Sequence, residues 1–82
     1  MDGSRIQSVY FPRSEWFKKD AVRWIVAHKF RPIKGEVTPT QYRFRIRSPY
    51  EFNHFITKRQ MSRGRTVYFV IGFKVPRMAA YT

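Results

Sequence analysis

Arg43, Arg45 and Arg47 alternate with Tyr42, Phe44 and Ile46 along the stretch Gln41 to Arg47. A guanidinium is a rigid fork of donors that fits phosphate oxygens, so the chemistry this row can do is binding a polyanion. Strict alternation is the pattern of a half-buried strand. It would put the three arginines on one face, roughly 6.6 Å apart, a separation comparable to that of successive phosphates in an extended nucleic-acid strand. The plainer reading is that any half-exposed strand alternates and that arginine protects a sheet edge. A second cationic group follows in Thr57 to Arg65, where Lys58, Arg59, Arg63 and Arg65 occur with no acid and with Gly64 to permit a turn. It reads as a flexible basic loop that would clamp a phosphate backbone beside the strand row. Tyr42, Tyr50 and Tyr68 are available to stack on bases if they face outward.

Catalysis has no comparable inventory. The acids Asp2, Glu15, Asp20, Glu36 and Glu51 are scattered, His28 and His54 have no partners in sequence, and cysteine is absent. These residues give no nucleophile-base pair, no metal-ligand spacing and no phosphate-cradling loop, so a non-enzymatic protein without cofactor or metal is expected. Charge points the same way as the arginines. Seventeen Lys+Arg against five Asp+Glu give +12, which implies a polyanionic partner or a neutralising neighbour. Nine basic residues and one acid, Glu51, fall in 37–82, and arginine outnumbers lysine eleven to six. Nucleic acid, DNA or RNA, is the partner this favours. The alternative is a structural or assembly protein whose basic surface meets acidic protein subunits.

The elements that must position these side chains come from periodicity and punctuation. Residues 1–5 read as a lead-in, and Ile6–Phe11 as a first strand stopped by Pro12. Phe17, Ala21, Trp24, Ile25 and His28 then fall on one helical stripe, which predicts an amphipathic helix within about 15–30, capped by Ser14 and ended by Pro32. A short irregular strand is expected around 33–37, followed by the strand 41–47. Ser48-Pro49-Tyr50-Glu51 has the form of a capping box with proline at the first helical position. It predicts a second short helix with Phe52, Phe55 and Ile56 on its apolar side. Thr66–Phe73 is nearly continuous in apolar residues and reads as a central strand with Phe69 and Phe73 in the core. The tail Lys74–Thr82 is an arm or a frayed end.

Eighty-two residues with 43% apolar and 18% aromatic side chains make one small basic domain, 1–82, with an ordered core of about 6–75. The expected fold is α+β: a small three- to four-stranded, mainly antiparallel sheet with two helices packed on one face, in the order β-α-(β)-β-α-β. An open strand edge would allow a homodimer by strand pairing. No apolar run reaches the roughly 20 residues of a membrane span, and no h-region follows the N-terminus. A soluble, intracellular chain with no membrane partner is the expectation.

Taken together, Val9-Tyr10-Phe11-Pro12, Trp16, Ala21-Val22-Arg23-Trp24-Ile25, His28, Tyr42-Arg43-Phe44-Arg45, Pro49, Phe52, Phe55, Thr57-Lys58 and Val70-Ile71-Gly72 resemble a small basic domain that recurs in large double-stranded DNA viruses and tailed phages. The resemblance spans roughly 8–74. It implies a viral origin, a virion- or genome-associated protein and other virion proteins as partners, with no residue role to carry across. The chain departs from that pattern at Phe17, where a small hydroxyl residue is usual before the helix, and in the longer basic stretch 57–65.

Overall fold

The computed structural model describes residues 4–75. Among the described residues five strands form one antiparallel sheet, crossed on one face by a single helix: β1 (Arg5–Pro12), α1 (Lys18–Ala27), β2 (Lys34–Val37), β3 (Gln41–Arg45), β4 (His54–Ser62) and β5 (Arg65–Phe73). The order across the sheet is β2-β3-β1-β5-β4. The first strand is therefore central, flanked by the inner strands of two hairpins, β2–β3 and β4–β5.

Burial follows from that position. In β1, Val9 and Phe11 are fully buried beneath α1, with Trp16, Ala21, Ile25, Val67 and Phe69. Tyr42, Phe44 and Ile46 pack partly against the same cluster, so the alternation in this stretch does set the two faces. Phe11 is the hub of edge-to-face contacts to Trp16, Trp24 and Phe44 at 4.8, 5.5 and 5.7 Å between centroids. A bulge between Ile6 and Ser8 adds one residue to β1, which lets Ile6 and Val9 face the same side although they are three apart.

Pro12 ends β1 for a reason visible in its neighbour. Tyr10 pairs with Tyr68, so two residues further on Pro12 would face Thr66, and proline has no N–H to give. Side chains take over that ladder position: Thr66 N–H donates to the Glu15 carboxylate at 2.6 Å, and the Trp16 indole N–H donates to the Thr66 carbonyl at 2.8 Å. Glu15 and Trp16 are thereby committed to β5. The helix accordingly starts later than Ser14, with Phe17 as its N-cap and no side-chain cap. Phe17 itself, expected on the apolar stripe, is 73% exposed. At the other end Lys29 (φ 63) takes the left-handed position, with Lys29 N–H bonded to Val26 O and Phe30 N–H to Ile25 O, a Schellman closure made without glycine.

The expected architecture of two helices on a three- to four-stranded sheet is overturned. Residues 33–37 supply a regular edge strand, and the second helix exists only as one 3-10 turn, Pro49–Glu51. The cap forms as the sequence predicts, with Tyr50 N–H donating to Ser48 Oγ at 3.2 Å. Propagation fails because the next residues gain more elsewhere. Phe52 lies over Gly72, where an added Cβ would come within 2.4 Å of the ring, and His54–Ser62 pairs along the whole of β5. Glu51 does not complete the box; it faces Arg47 at 3.7 Å. The basic stretch 57–65 is likewise a hairpin rather than a flexible loop, and its turn is Arg63-Gly64 alone, with φ of 51 and 81. Two positive φ values are the signature of the type I′ turn that matches strand twist. Only generic mixed α and β content remains of the expected class. The arm beyond Val75 and residues 1–3 of the lead-in lie outside the described residues. Among the described residues no helix is long and apolar enough to cross a membrane.

Candidate nucleic-acid interface

With α1 on one face, the sheet presents a second face, and strand register decides what stands on it. Glu36 is opposite Arg43, Arg43 opposite Tyr10, Tyr10 opposite Tyr68 and Tyr68 opposite Arg59. One line of side chains therefore runs across all five strands, stepping about 4.8 Å from strand to strand. The neighbouring line is Lys34, Arg45, Ser8, Val70 and Thr57. Two tyrosines thus sit at the middle of a face whose flanks are cationic.

The crossover from β3 to β4 closes one end of this face. Ile46 and Arg47 N–H groups both donate to Gln7 O, and Gln7 Nε2 returns a bond to Arg47 O at 3.0 Å. Ser8 Oγ donates to Gln7 Oε1 at 2.8 Å, so these two buried polar residues satisfy each other beneath the crossover. Pro49 and Phe55 wall a cleft whose other side is Lys34, Glu36 and Arg45.

The cations differ in how free they are. The Arg43 guanidinium lies 4.3 Å over the Tyr10 ring, donates to the Tyr10 hydroxyl and approaches Glu36 at 4.0 Å, with its Nε buried and unpartnered. Arg43 is spent on holding Tyr10. Among the described residues no carboxylate lies within 4.0 Å of Lys34, Arg45 or Arg59. These three can meet a phosphate without breaking an ion pair among the described residues.

The expected site is therefore regrouped. Arg43, Arg45 and Arg59 share the open face, but Arg47 has left the strand, since β3 ends at Arg45, and stands on the crossover with Glu51. Lys58 points to the helix side, because its pair is Phe69. Arg65 is also on that side, with its guanidinium 3.8 Å above the Trp16 ring and 3.5 Å from Asp20. Arg63 occupies the hairpin turn. Neither the strand row of three nor the four-residue clamp exists as a unit. Of the tyrosines, Tyr68 faces outward and Tyr42 inward, while Tyr50 is 94% exposed on the 3-10 turn. The sequence reading missed Tyr10 and Lys34. Tyr10 was findable, since it lies between the inward Val9 and Phe11; Lys34 needed the register of β2 on β3.

His28 stacks on Trp24 at 3.6 Å as a helix-end residue, and His54 lies on the exposed strand β4. Among the described residues no three His, Asp or Glu side chains gather as metal ligands. Comparison with protein-family models, curated proteins and solved structures finds no match, so the resemblance to a viral domain and the origin it implies draw no support from them.

Proposed function

We propose that this protein binds single-stranded nucleic acid, DNA or RNA, across the open sheet face, and that it does so without catalysis. The observation that carries the reading is the register line Arg43-Tyr10-Tyr68-Arg59, which sets two half-buried aromatic rings between cations on the sheet face away from α1. Bases of a single strand have free π-faces and can stack on an aromatic ring, while paired bases cannot. Tyr68 is the platform, since Tyr10 is already covered by Arg43. Lys34, Arg45 and Arg59 supply phosphate contacts on either side.

Fluorescence anisotropy with labelled single- and double-stranded oligonucleotides across a salt series tests this. Tight single-strand binding near physiological salt is expected, with log K falling by about 0.7 per decade of salt for each phosphate contacted. Tyr68→Ala should weaken it by about 1–3 kcal/mol, roughly 5- to 150-fold. Arg45→Ala with Arg59→Ala should flatten the salt slope by about 1.4. Equal affinity for duplex together with an inert Tyr68→Ala would leave charge alone and remove the stacking assignment. Binding lost at modest salt would pass the charge to an acidic protein partner.

A further inference from the structure

At the end of the sheet where the crossover leaves β3, a second cleft has an apolar floor and a cationic rim. Phe30, Ile33 and Ile46 form the floor with Ile6, and Lys29, Arg31 and Arg47 stand around it with a single acid, Glu51. Ile33 is 64% exposed, so a large aliphatic side chain is left in water beside fixed positive charge. The backbone beneath is tied down by four N–H groups. Phe30 N–H bonds to Ile25 O, Ile33 N–H to Arg45 O at 2.8 Å, and Ile46 and Arg47 N–H groups to Gln7 O. A partner would therefore meet a preformed surface and would not have to order it.

We infer that this cleft receives an acidic peptide segment of a partner protein, with one aliphatic side chain seated on Ile33 and carboxylates on the rim. Charge complementarity carries the assignment. Glu51 shows the chemistry internally, its carboxylate 3.7 Å from Arg47. Among the described residues, Lys29 and Arg31 have no carboxylate within 4.0 Å, which leaves two cations for an incoming chain. The floor separates a peptide from a nucleic acid. It is mostly aliphatic, and its one aromatic ring, Phe30, is half-buried with one face towards Trp24 at 6.2 Å between centroids, so stacking surface for bases is confined to one ring. An aliphatic anchor gains by leaving water on such a floor, and a phosphodiester chain has none to offer.

The test uses the full chain and two fluorescein-labelled peptides of about ten residues, rich in Asp and Glu, one with a central leucine and the other with serine in its place, titrated at physiological salt. About fivefold or more tighter binding of the leucine peptide is expected, with a similar loss on Ile33→Ser and on Arg31→Ala. Both residues are outside regular structure, and circular dichroism verifies that the variants fold. Arg45→Ala and Tyr68→Ala should leave the peptide unaffected, and a saturating oligonucleotide should not displace it. Equal binding of the two peptides, or an inert Ile33→Ser, overturns the proposal. Displacement by oligonucleotide also overturns it and makes these cations an extension of the nucleic-acid surface. Because the peptide is read with Arg45 and Tyr68 variants alongside, this site and the sheet face can fail separately.

Discussion

Two single residues hold backbone that no strand can reach. Thr66 would lie across from Pro12, and its N–H goes instead to Glu15. Removing that acceptor leaves a buried donor unpaired, which costs about 1–3 kcal/mol, so Glu15→Ala should lower the free energy of unfolding by that amount in a denaturant titration. Lys29 works in the other direction. It closes α1 with φ 63, a region that disfavours any residue with a Cβ. Lys29→Gly should stabilise the fold by about 0.5–1 kcal/mol, a rise of several degrees in melting temperature for a domain of this size. Neither feature is legible locally. Glu15 looks like a first-turn acid of a helix, and only the strand 51 residues later shows what it is for. His28, by contrast, was readable as a helix-end residue because no second ligand accompanies it.

The three inner strands were legible, the outer strand β2 was legible only as a short irregular strand around 33–37, and the outer strand β4 was not legible at all; burial explains the division. β1, β3 and β5 each have a side against α1 or lie inside the sheet, so their apolar residues show a pattern. β4 is exposed along nearly its whole length, so no burial imposes a period on it, and its polar residues resemble a loop. The false second helix has the same origin: Ser48 caps one turn, but strand pairing with β5 outweighs the local signal. What fixes β4 is its turn. Gly64 has nothing within 4 Å of an added Cβ, so Gly64→Ala would meet no clash and would pay only for φ 81. The cost should be about 1–2 kcal/mol. Hydrogen exchange should then rise first in the β4–β5 pairing, while β1–β3 keeps its protection. Uniform loss across the sheet would mean that β4 is not a separate closing step. Arg59 and the proposed site depend on that pairing, which is why the cationic line could not be drawn from sequence alone.

At the level of the whole molecule, charge acts on stability and on binding with opposite sign. A net +12 on 82 residues repels itself in the compact state, and the ion pairs among the described residues, Arg43–Glu36, Arg47–Glu51 and Arg65–Asp20, are partly exposed, at 3.5–4.0 Å. Screening weakens such exposed pairs a little and relieves the many repulsions more, because the pairs are few and the unpaired cations are many. Raising NaCl from about 20 to 200 mM, across which the Debye length falls from roughly 20 to 7 Å, should therefore raise the melting temperature of the free protein. Oligonucleotide affinity should fall over the same range as counterions compete for the cationic face. The same charge limits self-association. In a full-length antiparallel pairing of two β4 edges, Lys58 would stand opposite Lys58 of a second copy, an unfavourable cross-strand pair. Sedimentation at low salt should thus show a monomer, and a dimer that appeared only on adding oligonucleotide would mean that phosphate between the copies neutralises this edge. A dimer without polyanion at low salt would show that strand pairing outweighs the repulsion, and the charge would then have to be assigned away from the β4 edge.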